Sequence, residues 1–248
     1  MSLIEETAAW LTDPAHWSGA GGIPNRLLEH LAVSLSALVI AIAIALPLGL
    51  LVGHTRRGAG LAVNLANLGR ALPTLAVITI VLPLTSAVDP QLGFKFYPTM
   101  IALVVLAIPP ILVNTYVGIS GVEAELVESA RGMGMREREV LRQVEIPVAL
   151  PILAGGVRSA ATQVVATATL GAIFGGGGLG RYLVEGIAQN DNGMIFGGVT
   201  LVAVLSIATE VVFALLQRRL TSPGLAQPRF GWSSRVQPGA PAGAASGP

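Results

Sequence analysis

Five stretches of this chain carry no charged side chain: residues 30–53, 71–88, 96–122, 159–180 and 192–209. A helix crossing about 30 Å of hydrocarbon needs roughly 20 apolar residues at about 1.5 Å each. All five runs approach or exceed that length. Charged residues make up 12% of the chain, half of the roughly 25% that a soluble domain averages. Too few polar side chains are left to coat a water-soluble core of this size. The expectation is an all-α integral membrane protein with five spans.

Cysteine is absent, which excludes disulfides and thiolate chemistry. The net charge of +1 argues against a nucleic-acid partner. His16, His30 and His54 do not have the spacing of a metal site.

Alternating spans would collect Arg56 and Arg57, then Arg131, Arg136, Arg138 and Arg142, then Arg218 and Arg219 on one side. The other side would hold Arg26, Lys95 and Arg181. The excess of arginine predicts an external N-terminus and a cytoplasmic C-terminus. Residues 1–30 lack the basic start of a cleaved leader, and Trp10 and Trp17 suit an external interfacial segment. Residues 31–220 form the expected membrane domain. Residues 221–248, rich in Gly and Pro, read as a disordered cytoplasmic tail.

The segment 121–147, between the third and fourth runs, breaks this economy of charge. Eight of the 18 residues from Glu128 to Glu145 are charged. Val122, Leu126, Val127 and Ala130 recur at helical spacing, as do Val140, Leu141 and Val144, with Gly132 and Gly134 between the sets. The pattern predicts two short amphipathic helices joined by a glycine turn and ending at Pro147. Glu128 with Arg131 and Glu139 with Arg142 have the i, i+3 spacing of helical ion pairs. An ordered cytoplasmic surface of this length predicts a docking partner.

The segment resembles the cytoplasmic motif E-A-A-x3-G-x9-I-x-L-P of permease subunits of bacterial ABC importers. Here it reads Glu128-Ser129-Ala130, Gly134, Val144, Ile146 and Pro147, with matching spacing throughout. ALPTLAV after Arg70, ARGMGM and VVATATLGAIFGGGGLGRYLVEGI are similar to permeases of osmoprotectant importers for glycine betaine, choline, carnitine and related amines. The similarity covers about residues 25–220. It implies the five-helix core of type I importers in a bacterial cell membrane, working as a homo- or heterodimer of permeases. It also implies two ATPase subunits, which bind the ATP and Mg, and a separate extracytoplasmic binding protein. Glu128, Ser129, Ala130, Gly132, Gly134, Ile146 and Pro147 would couple the chain to its ATPase. Gly134 would allow a close approach, and Glu128 would fix the turn or meet the partner.

The chain itself lacks a phosphate-binding G-x4-G-K-[ST] loop, since its one lysine lies in GFKFY. FGGGGLGRY is better read as a tight turn with close helix packing. Candidates for lining a solute path are polar groups beside prolines or deep in spans: Pro73 with Thr74, Pro109-Pro110 with Asn114, and Gln163 with Thr167. Glu210 is an acid within a span, expected either to line the path or to pair with Arg70 or Arg158. An aromatic cage for a quaternary amine would sit in the binding protein.

Two other classes fit less well. GISG at residues 118–121 matches a serine-protease G-x-S-G, but no histidine follows it to accept a proton. A secondary transporter with broken helices would explain the prolines but would not need the pattern from Glu128 to Pro147. An ABC permease for a different small solute also stays open.

Overall fold

The computed structural model describes residues 2–220 apart from Ala59, Leu61, Ala62, Leu65, Ala66, Leu68 and Arg70. The Arg70 pairing and the tail 221–248 lie outside the described residues. All regular structure among the described residues is helical. The principal helices are α1 (Leu3–Thr12), α2 (Ile23–Thr55), α3 (Thr74–Val88), α4 (Tyr97–Ser120), α5 (Ala124–Gly132), α6 (Ile146–Thr167), α7 (Gly180–Gln189) and α8 (Asn192–Leu220).

Helix α2, with 33 residues, is about 50 Å long. One face repeats a small residue every fourth position: Ala37, Ala41, Ala45, Gly49 and Gly53, all buried. That face lies on α4. A Cβ at Gly49 would stand 2.6 Å from the Thr115 Cβ, and one at Gly53 would stand 2.7 Å from the Ile119 Cβ. The opposite side presents Leu28, Leu35, Val39, Leu48 and Leu51. Small side chains inside and large aliphatics outside suit a helix packed in lipid. α6 approaches α4 in the same way, through Gly156 against Asn114 and Gly118 against Leu153. A core of Leu103, Ala107, Ile111, Ala160 and Val164 fills the space between α2, α4 and α6.

Among the described residues, four helical segments are long and apolar enough to cross a membrane, and α3 is shorter. The second uncharged run began at Ala71, but Pro73 is the N-cap of α3, so that helix has 15 residues. Proline disfavours helical geometry in the residue before it. The fourth span is also displaced from its run. Its helix begins at Glu137, passes through a π turn at Leu141–Glu145 and continues through α6 to Phe174. It therefore contains Arg158.

The second amphipathic helix and the fourth span are thus one helix, not two elements divided at Pro147. The Ile146 N–H donates to Leu141 O, five residues back. Pro147 cannot donate to the carbonyl four residues before it, and its ring crowds that carbonyl. A locally widened turn accommodates both effects.

The N-terminal region is tied down. Helix α1 opens with a capping box from Ser2 and Glu5 and packs on α8, where Trp10 covers Gly197. Trp10 is buried, stacked on His16 and edge-on to Tyr182. The Tyr182 hydroxyl donates to Gly21 O at 2.8 Å. Burial is the largest influence on that phenol and pushes it up to about 12, so it stays a donor at neutral pH. Helix α2 already begins at Ile23, inside the expected interfacial segment of residues 1–30.

Gly53→Leu should drive α2 off α4 and cost about 1–3 kcal/mol, lowering the melting temperature of the detergent-solubilised protein. Gly132→Leu, where a Cβ meets open space, should leave it nearly unchanged.

Candidate coupling surface and polar groups within the spans

The segment after α4 folds as a helix, a reversal and the start of the next helix. Val127 and Ala130 of α5 are buried with Val122, Ile119, Val140, Ala149 and Leu153. Leu126 falls off this face and is exposed.

The reversal is fixed by backbone bonds. Met135 N–H donates to Ala130 O at 3.2 Å, and Gly134 N–H donates to Arg131 O at 2.9 Å. This 6→1 and 5→2 pair is a Schellman cap, with Gly134 at its left-handed position, φ +87°. A Cβ at Gly132 or Gly134 would meet nothing within 4 Å. Between them Met133 is 78% exposed. The apex is therefore bare, and Gly134 is needed for its backbone angle.

Charge staples the base of the turn. Arg131 Nε and Nη2 each donate to Glu137 at 2.9 Å, a bidentate pair. It replaces the expected Glu128–Arg131 pair. The hydrogen bonds from Arg131 hold the Glu137 carboxyl below the usual carboxylate range, and the Arg131 guanidinium is raised in turn. The pair thus survives acidification until the pH falls through that lowered value. Glu139 accepts from Arg136 N–H at 2.7 Å, capping the next helix instead of meeting Arg142. Ser129 bonds back to Glu125 O. Glu128 is exposed and accepts no hydrogen bond among the described residues. Ile146 packs against the apolar cluster, and Pro147 is exposed.

Sequence reading missed the contact under this surface. His54, in the last turn of α2, donates through Nδ1 to Glu145 Oε2 at 2.6 Å. Its Nε2 lies 3.3 Å from Glu137 Oε2. The ends of the bundle are now defined. His54, the charged segment and the Leu220 end of α8, beside Ile146, lie together and carry the arginine-rich stretches. At the other end Gly178 N–H donates to Glu29 at 2.8 Å. The FGGGGLGRY turn there packs closely on Glu29 and His30, with Gly175 and Gly178 at positive φ.

Comparison with known proteins fits this architecture. The model of the family described as binding-protein-dependent transport system inner membrane component matches residues 45–222. The chain belongs to that family. Among relatives, the glycine betaine/carnitine/choline transport system permease protein OpuCB of Bacillus subtilis is 39% identical over 208 residues, 84% of this chain and 93% of the relative. The osmoprotectant import permease protein OsmW of Salmonella typhimurium is 31% identical over 215 residues, 86% of this chain and 99% of the relative. In fold the chain is similar to a chain of the MetNI methionine ABC transporter in an inward-facing conformation. The TM-score is 0.72 at 21% identity, covering 85% of this chain and 100% of the other.

In this family member the polar groups within the spans are dispersed. Pro73 caps α3 and Thr74 is its first residue. Pro110 is buried in α4, and Asn114 Nδ2 donates to Pro110 O at 2.7 Å while packing on Gly156. Gln163 is exposed on α6, and Thr167 ends that helix. Glu210 forms an ion pair with Arg158 Nε at 3.1 Å and accepts from the Thr162 hydroxyl at 2.9 Å. Arg158 also donates to Gln217, which donates to Pro151 O. The described residues show no hydrogen bond linking Thr74, Asn114, Gln163, Thr167 and Glu210 to one another.

Two outcomes follow. Gly134→Ala should destabilise the isolated protein by about 1–2 kcal/mol, since Cβ is strained in the left-handed region. Gly132→Ala, at the helical end of α5, should be neutral or stabilising by up to about 1 kcal/mol; chemical denaturation measures both. Arg158→Leu alone should reduce the folded yield in detergent, and adding Glu210→Leu should recover part of it, because the single change strands a carboxylate.

Proposed function

We propose that this chain is the membrane permease subunit of an ATP-driven importer of quaternary-amine osmoprotectants such as glycine betaine, choline or carnitine. It lines the solute path and binds no nucleotide. Two copies of a separate ATPase subunit bind ATP and Mg, a second permease completes the path, and a separate external binding protein delivers the solute. The observation that carries this reading is the bare Gly132-Met133-Gly134 apex on a stapled turn, at the motif spacing and at the arginine-rich end of the bundle. Support for the substrate class comes from relatives at 32–39% identity that are named for glycine betaine, carnitine or choline.

The positive-inside bias puts the arginine-rich end in the cytoplasm of a bacterial cell and the Gly178 end outside. There the apex meets the ATPase, with Glu128 free to pair with it. ATP-driven closure pushes on the apex, and the turn passes that displacement into α4 and α6 through the cluster of Val127, Ala130 and Val140. The solute is released from its aromatic cage at the outer mouth and crosses between the two permeases.

Cells expressing the full transporter at high osmolarity should accumulate at least one of labelled glycine betaine, choline, carnitine or proline betaine. Gly134→Asp should insert normally yet reduce that uptake to background. Normal uptake in that variant would remove the coupling role from this turn. An assembled, ATPase-active complex that moves none of the four amines would remove the substrate class alone.

A further inference from the structure

Glu145 is the one buried carboxylate among the described residues, 5% exposed. Its hydrogen-bond partner there is His54 Nδ1 at 2.6 Å. The two lie 91 positions apart in sequence. His54 ends the helix that holds α4 through its small-residue face, and its neighbour Gly53 abuts Ile119. Glu145 is the last residue of the π turn by which the charged segment enters α6. Around the pair stand Glu137, 3.3 Å from His54 Nε2, together with Arg56, Glu128 and Arg131 on the walls of one polar cleft.

We propose that the His54–Glu145 hydrogen bond is the tie that makes α2 follow the coupling segment, so that His54 is a positioning residue for transport. This rests on the coupling role proposed for the segment.

The physical case is one of direction. Apart from the approach of His54 Nε2 to the exposed Glu137, the segment meets the bundle through the apolar cluster of Val122, Val127, Val140 and Leu153, whose attraction has no preferred direction. A buried carboxylate with one partner cannot slide free of it without being stranded unpaired. When the apex is displaced, Glu145 moves with the π turn and His54 must move with Glu145. Helix α2 is continuous from His54 to Glu29 and His30. At that far end, His30 Nε2 is 2.8 Å from Val165 O and Glu29 holds the Gly178 turn. The tie therefore connects the apex to the opposite mouth through one continuous helix.

The test uses the whole transporter reconstituted in vesicles with its ATPase and binding protein, reading solute moved per ATP hydrolysed. His54→Ala should keep the ATPase bound but lower this ratio about tenfold or more, with the loss in kcat for uptake and not in KM. His54→Asn, whose amide N–H takes roughly the place of Nδ1, should restore most of the ratio. A wild-type ratio in the assembled His54→Ala complex would overturn the proposal, as would failure of Asn to restore a lost one.

Should His54→Ala not assemble, the absence of native cysteine permits a second route. The pair His54→Cys and Glu145→Cys, bridged by a short reducible bis-methanethiosulfonate linker, should transport while bridged and lose transport on reduction. Transport arrested by the bridge would mean that the two positions separate during the cycle, and the proposal falls. Full coupling in His54→Ala beside an uncoupled Gly134→Asp would sink the tie alone. Full coupling in both would sink the docking role as well.

Discussion

The close approach of α2 to α4 is the contact on which the other contacts depend. In lipid no hydrophobic force draws two apolar helices together, so their adhesion comes from the number of atoms brought into van der Waals contact. The stripe from Ala37 to Gly53 lets the two backbones come near enough for that number to be large. Gly156 and Gly118 repeat the solution where α4 meets α6. Helix α4 thus becomes a central post clasped on two sides by small residues. Its own Pro109 and Pro110 are buried, which helps to fix any bend by packing. The charged segment continues directly from this post, so its base is held by the best-packed part of the molecule.

Polar groups within the bundle follow a second rule, that a charge in hydrocarbon must bring its partner. An arginine or acid at the centre of a lone span is unfavourable by about 2.5–3.5 kcal/mol on insertion scales. Arg158 and Glu210 meet at 3.1 Å, and Thr162, Gln217 and Pro151 O occupy further donors and acceptors. The result fastens α8 to α6 beside Phe213, which packs on the core, while another face of α8 exposes aliphatics such as Val204, Ile207 and Val211.

The same pair explains what could and could not be read from residues alone. Counting uncharged runs found the apolar helices, but it placed the fourth from residue 159 and ended the fifth at residue 209. Arg158 and Glu210 interrupted the count just where they neutralise each other. A run cannot register a partner that is remote in sequence, and the same limit hid His54 with Glu145. In the charged segment, spacing located Gly134, the turn and most of the apolar face, because these are local properties of the backbone. It paired Arg131 with Glu128, a helical neighbour, where the folded turn offers Glu137 in bidentate geometry. Pro147 was legible as a break and Pro73 was passed over inside an uncharged run, because how each proline is absorbed depends on neighbouring turns. One caps α3, and the other follows the π turn that keeps a long helix continuous.

The turn itself is built to be stiff beneath and empty above. Its Schellman bonds and the Arg131–Glu137 fork close the base, while the apex offers only two glycines and the exposed Met133. Ion pairs at such a surface add little to overall stability, so their value here is geometric. A flexible apex would absorb a push as local bending. A closed one moves as a body and hands the displacement to whatever is bonded below it. Below it lie the apolar cluster, which under the proposed coupling role would transmit compression, and the buried Glu145, which would transmit direction. That division requires the polar bond to sit inside the fold, shielded from the water that would otherwise compete for it, and Glu145 is placed accordingly.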